Sequence, residues 1–304
     1  MISGLPALLL LAVQTSGIVH RPGIDLPYQT IGEGKPVLLL SGGPGFTSDY
    51  VRPIIDGCKT KGLRWILIEQ RGTPRARLDK GTAKDFTMDQ YVGDLEALRT
   101  ELHIKKWTVI GHSWGSMLAH GYLAAHPGNV SAIVFIGNTG PDTSMLEPAG
   151  DNIDRFLTAD ERAEEAKAGS NAVTGPADDA AALKLFLLQA PAYFFSRETF
   201  EKNRGMFPDG CLVGNTENLV FPAMLGKWDV SRAISRYKGP VLALQGRQDI
   251  LGETPVWKDK LAMPQTQIQF VEHAGHMTWL DSPKPFFDAL DAFLGANAGQ
   301  RNEE

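Results

Sequence analysis

The fold turns on one stretch, Lys106-Trp107-Thr108-Val109-Ile110-Gly111-His112-Ser113-Trp114-Gly115-Ser116-Met117-Leu118-Ala119. Trp107 to Ile110 is a short apolar run, the pattern of a buried strand. It ends in Gly-x-Ser-x-Gly, and Ser116 to Ala125 then reads as a helix closed by Pro127. A strand that turns sharply into a helix at a serine lifts that side chain above the carboxyl edge of a sheet. Glycines flank it because strand and helix backbones come too close there for a Cβ. The turn exposes the Ser113 hydroxyl and aims the Trp114 N–H, at the positive end of the helix, towards a developing oxyanion.

Working upstream, Ile18 to Arg21, a Pro22-Gly23 turn and Leu26 to Ile31 read as a strand pair. Pro36 to Leu40 is a continuous apolar run, as expected of a strand buried on both faces. It opens into Ser41-Gly42-Gly43-Pro44-Gly45. This loop lacks the Walker lysine and the G-x-G-x-x-G spacing of a phosphate cradle. Its flexibility suits a bare amide pointing into a site, and Gly43 N–H is the candidate second oxyanion donor. Leu63 to Ile68 is the next strand, followed by Glu69-Gln70-Arg71-Gly72, read as a structural turn held by a local ion pair. Thr87 to Gln90 has capping-box spacing before a helix whose apolar face is Met88, Val92, Leu95, Leu98 and Leu102.

Downstream, Val130 to Ile136 is a further strand, and then the alternation stops. Residues 142–228 read as an inserted, mainly helical cap over the site, between core segments 18–141 and 229–295. The cap contains the acidic run Asp160 to Lys167, a loop from Gly169 to Asp179, a helix from Ala180 to Leu188 and an aromatic group that includes Tyr193, Phe194 and Phe195. Phe194 and Phe195 are candidate pocket-wall residues. Strands resume at Pro240 to Leu244 and Thr266 to Val271. Phe286 to Leu294 forms a closing helix, with Gly295 placed as its cap and 296–304 as a polar tail.

A serine hydroxyl needs a base within hydrogen-bond reach, and histidine suits neutral pH. The imidazole in turn needs a carboxylate to fix its tautomer. Asp249 follows the Pro240 strand and His276 follows the Thr266 strand, in the order Ser, Asp, His, at the same carboxyl edge as Ser113. Asp142 is the alternative carboxylate and His273 the alternative base. His276 follows Ala274-Gly275 in a turn from which a side chain reaches inward. No HExxH and no third nearby ligand supports a metal site at His273 and His276. His112 and His120 read as packing or hydrogen-bonding residues.

Bulk properties bound the partners. A formal charge of −5 leaves no basic stripe for nucleic acid or an anionic membrane. Cys58 and Cys211 have neither CxxC nor metal spacing and read as unpaired thiols. Leu5 to Val13 is an apolar run too short to span a bilayer, followed by Thr15-Ser16-Gly17. The pattern reads as an export signal over 1–17, giving a periplasmic or secreted protein with no stable membrane insertion after processing; the alternative is an N-terminal strand or helix of the domain in a cytoplasmic protein.

Together these residues resemble the α/β-hydrolase fold and, more narrowly, the proline iminopeptidase family. The resemblance spans nearly the whole chain after Gly17. It rests on Ser41 to Gly45 (HGGPG in the family), Glu69 to Gly72 (DQRG), Gly111 to Ser116, Gly246 to Asp249 and Gly275-His276. It implies an α/β fold with an eight-stranded, mostly parallel sheet flanked by helices, a helical cap, no cofactor, and removal of N-terminal proline from short peptides. Nucleophile, acid and base would fall on Ser113, Asp249 and His276, and the oxyanion donors on Gly43 and Trp114. Ser41 replaces the family histidine and Glu69 its aspartate, and the cap lacks a clear copy of the family's Trp-rich acidic segment. Glu198, Glu201 and Glu217 are the candidates to hold a substrate amine. An esterase or lactonase acting on small apolar acyl groups, and a silent hydrolase-fold binding protein, are the competing expectations.

Overall fold

The computed structural model describes residues 14–168, 175 and 177–298. Eight strands form one sheet: β1 (Gln14–Arg21), β2 (Ile24–Ile31), β3 (Lys35–Leu40), β4 (Leu63–Ile68), β5 (Trp107–His112), β6 (Val130–Ile136), β7 (Val241–Gly246) and β8 (Gln267–Val271). Their spatial order is β1-β2-β4-β3-β5-β6-β7-β8. The β1–β2 and β2–β4 pairs are antiparallel, and every later pair is parallel. Between β4 and β5 the chain crosses over β3. The loops after β3 and β5 therefore part at the carboxyl edge, where crevices form in open α/β sheets.

The central strands read as unbroken apolar runs because each face meets its own helical layer. In β3, Leu38 and Leu40 pack with α2 (Met88–Glu101) and α3 (Trp114–Ala125), in a cluster with Leu95, Leu118 and Leu123. Val37 and Leu39 point the other way, into a cluster with Ile54 of α1 (Arg52–Gly57) and Phe286 and Leu290 of α12 (Pro283–Ala298). β6 repeats the alternation, with Ile133 and Phe135 on the first side and Val134 and Ile136 on the second.

Between β6 and β7 lie α4 (Leu146–Phe156), α5 (Ala159–Lys167), α6 (Asp179–Gln189), α7 (Arg197–Asn203), α8 (Asn215–Met224) and α9 (Ser231–Ile234), with no strand among the described residues. The ends of this insertion meet at an antiparallel bridge between Asp142 and Asp229. The chain then continues through β7, α10 (Thr254–Ala262), β8, α11 (Thr278–Asp281) and α12.

Several local expectations are corrected. The first strand starts at Gln14 and pairs Gln14 with Ile31 and Gly17 with Tyr28, so a boundary at Gly17 falls inside β1. The rest of the expected signal, and most of the Gly169 to Asp179 loop, lie outside the described residues. Gly295 does not end the last helix; α12 runs through it to Ala298, because its i→i−4 bonds continue past a residue that merely lacks a side chain. Thr87 Oγ1 accepts the Gln90 N–H at 3.3 Å, one half of a capping box. Glu69 and Arg71 are not paired with each other. Arg71 forks onto both carboxylate oxygens of Asp94 on α2, at 2.6 and 2.8 Å, while Glu69 meets Arg75 at 2.9 Å. Both cysteines are free thiols.

Candidate active site

Ser113 stands between β5 and α3 with φ 57° and ψ −123°, a left-handed conformation that a non-glycine residue adopts only under strain. Its backbone is fixed from both sides. The Ser113 N–H donates to Ile136 O at 3.0 Å, and its carbonyl accepts from Ser116 N–H at 2.7 Å and Ser116 Oγ at 2.8 Å. The flanking glycines have no room for more: a Cβ on Gly111 would lie 2.1 Å from Gly115 O, and one on Gly115 2.4 Å from Leu40 O.

The β7 and β8 loops bring the acid and the imidazole together. His276 Nδ1 lies 3.0 Å from each carboxylate oxygen of Asp249, and both residues are buried. An ionised carboxylate only accepts, so Nδ1 carries the proton and Nε2 is left as the basic nitrogen. That Nε2 is buried and makes no hydrogen bond. Asp249 Oδ1 also accepts from Leu251 N–H at 2.9 Å. The imidazole occupies space that a side chain on Gly137 would fill: a Cβ there would approach its ring to 2.7 Å. His276 is further anchored to the insertion, since Tyr193 O accepts its N–H at 2.8 Å and that of Met277 at 3.1 Å. Asp281 Oδ2 joins the same two segments, accepting from Gly275 N–H at 2.9 Å and Phe195 N–H at 3.0 Å. Burial raises the Asp281 carboxyl to about 6.

Ser113, His276, Gly43 and Trp114 line one cavity of about 610 Å³ beneath the insertion. Trp114 is the first residue of α3, where backbone N–H groups have no partner within the helix. Its indole Nε1 donates to Gln70 Oε1 at 2.9 Å, and Gln70 Nε2 donates to Ser41 O at 2.9 Å, bracing the Ser41 to Gly45 loop against the serine turn. Apolar wall comes from Met117, Met145, Leu146, Phe221, Ile250 and Leu251. Acidic groups also line it, and among the described residues Glu147, Asp151, Asp154, Glu165 and Glu217 face one Arg or Lys, Arg162.

Of the candidate amine-binding acids, only Glu217 is at this cavity. It lies on α8, has no hydrogen-bond or ion-pair partner among the described residues, and burial raises its carboxyl from 4.5 to about 7. Glu198 and Glu201 are exposed on α7 and pair with Lys202 at 2.7 Å and Arg204 at 3.7 Å. The aromatic candidates also fall away. Phe194 is buried against Phe200 in the interior of the insertion, and Phe195 is on the outer surface beside His273. Neither lines the cavity, although Tyr193 just before them does. His273 is exposed, and Asp142 is bridged to Lys258 at 2.5 Å. Among the described residues no group of three or more His, Cys, Asp or Glu side chains could hold a metal ion, and no helix is long and apolar enough to cross a membrane.

The family model for the alpha/beta hydrolase fold matches residues 35–283, and the chain belongs to that family of hydrolases. Proline iminopeptidases recur among its relatives. One from Lactobacillus helveticus is 25% identical over 293 residues, covering 90% of this chain and 95% of that protein. The AB hydrolase superfamily protein YclE of Bacillus subtilis is 31% identical over 132 residues, a match covering 43% of this chain and 44% of that protein. Among solved structures, a proline iminopeptidase-related protein from Thermus thermophilus superposes with a TM-score of 0.72 at 20% identity, covering 94% of this chain and 99% of that one.

Proposed function

We propose that the chain is a serine hydrolase that cleaves the bond after an N-terminal residue bearing a free amine, as proline iminopeptidases do. Ser113 attacks the carbonyl, His276 Nε2 takes its proton, and the imidazolium returns that proton to the leaving amine as the amide bond breaks and the acyl-enzyme forms. Asp249 holds the imidazole and stabilises its cation. The Gly43 and Trp114 amides bind the tetrahedral oxyanion, and water activated by His276 then clears the acyl-enzyme. In this reading residues 142–228 are the cap, short peptides are the substrates and no cofactor is needed.

The observation that carries the specificity is Glu217, a carboxyl with no hydrogen-bond or ion-pair partner among the described residues, in the same cavity as Ser113 and His276. A partly desolvated acid without a countercharge is disfavoured in its ionised form, and a substrate ammonium supplies the missing charge. The test compares a proline anilide with its N-acetylated form. Turnover that requires the free amine in wild type, and loses that requirement in Glu217→Gln, supports the reading; equal turnover of both by wild type contradicts it.

The apolar wall supports a second reading, an esterase or lactonase for small acyl groups, which predicts faster turnover of a short-chain nitrophenyl ester than of the anilide. Export through an N-terminal signal is part of this proposal, checked by sequencing the N-terminus of exported protein.

A further inference from the structure

A second chain of hydrogen bonds runs behind the cavity through groups that the proposed reaction does not use. Gly42 N–H donates to Tyr50 Oη, and Tyr50 Oη is 2.8 Å from His112 Nδ1. His112 Nε2 is 3.2 Å from the carbonyl oxygen of His276. A carbonyl can only accept, so His112 carries its proton on Nε2 and its Nδ1 accepts from Tyr50 O–H. Every member is thereby satisfied although Tyr50 and His112 are buried. Burial holds the His112 imidazole well below its usual range, and the neighbouring His276 adds to the effect, so His112 stays neutral. The titratable groups facing its ring are Tyr50, from the turn Ser48–Val51, and His276, with Asp249 behind it.

These bonds connect the loop that carries Gly43, the residue before Ser113 and the backbone of His276. Contact is close: a Cβ on Gly42 would lie 2.6 Å from Tyr50 Oη and 2.8 Å from Ser113 Cβ. We propose that Tyr50 and His112 form one positioning unit that sets the Gly43 amide and the His276 imidazole relative to Ser113. The unit rests on the roles proposed above for those three residues. Its contribution falls on kcat, because a misplacement of about 1 Å at reacting groups costs up to ~10²-fold while leaving binding contacts in place.

The experiment uses the full chain with Tyr50→Phe, His112→Phe and the double variant, assayed on an activated short-chain ester. Each single variant is expected to lose ~10 to 10²-fold in kcat with KM within ~2-fold, and the double variant to lose no more than the worse single, as residues acting as a unit do. A Tyr50→Phe enzyme with kcat within ~2-fold of wild type, a loss carried by KM, or losses that multiply would overturn the unit. If a variant does not fold, the ¹⁵N spectrum of wild-type His112 decides. A bare Nδ1 and protonated Nε2 support the unit; a protonated Nδ1 overturns it. Ser113→Ala separates the two levels. Activity that survives it sinks the serine mechanism itself, whereas Ser113-dependent activity indifferent to Tyr50→Phe sinks only the positioning unit.

Discussion

His276 Nδ1 is equidistant, at 3.0 Å, from both carboxylate oxygens of Asp249, so one imidazole N–H is shared across the acid. Asp249→Asn removes the charge and presents a donor to a nitrogen that must itself donate. The wrong tautomer then faces Ser113. We expect kcat for an activated ester to fall by ~10⁴, the loss measured for the equivalent change in a serine protease triad. Steady-state kinetics beside an unfolding curve checks that the fold is kept.

Gly137 offers a second handle on the same imidazole. An alanine Cβ would sit 2.7 Å from two ring atoms of His276, and Gly137 has φ +53°. Gly137→Ala therefore displaces the base, and kcat should drop by ~10²-fold or more for every substrate, whatever its amine. Parallel assays of anilide and ester measure this.

Glu217 predicts a pH dependence with a definite sign. Its carboxyl is raised from 4.5 to about 7, so it is mostly charged only above that pH. A peptide α-amine holds its proton to about pH 8. KM for a free-amine substrate should thus rise as pH falls below about 7, and that limb should vanish in Glu217→Gln. Stability follows from linkage. The native state binds the Glu217 proton more tightly than the unfolded chain, so stability is lost as pH rises from 4.5 through about 7. Glu217→Gln should raise Tm more at about pH 8 than at about pH 4, values on either side of that window. Glu198→Gln should change neither KM nor its pH profile.

The Arg71–Asp94 pair tests what holds the Glu69 to Gly72 turn. Both side chains are buried, and Asp94 also takes Arg21 at 3.1 Å. Asp94→Ala strands a buried guanidinium and should cost about 3–5 kcal/mol in denaturant unfolding. Asp49→Ala, which removes only the exposed partner of Arg75, should cost at most about 1 kcal/mol.

Legibility in the sequence follows from local causes. β3 and β6 read as strands because both faces are buried, and the Ser113 turn reads as such because two glycines flank the serine where a strand gives way to a helix, Gly111 against the backbone of Gly115 and Gly115 against that of Leu40. Asp249 and His276 can be placed because strand ends share an edge. Less is legible where a partner is distant. Nothing beside Arg71 marks Asp94, on the next helix, and nothing in Glu198, Glu201 and Glu217 marks which one lines the cavity. Adjacent phenylalanines, Phe194 and Phe195, cannot be sorted without knowing that one packs on Phe200 and the other lies beside His273. Tyr50, His112 and His276 come together from a helical turn, a strand end and a loop, and no sequence spacing signals that. The start of the first strand is hidden because the small residues Thr15 to Gly17 suit a processing site as well as a strand edge packed under Tyr28.

Nucleophilic catalysis by Ser113 is tested most directly by fluorophosphonate labelling with the modified residue mapped by mass spectrometry. Stoichiometric label on Ser113, abolished together with ester hydrolysis in Ser113→Ala, is the predicted result. Label on another residue, or a Ser113→Ala enzyme that hydrolyses the ester near the wild-type rate, would contradict it.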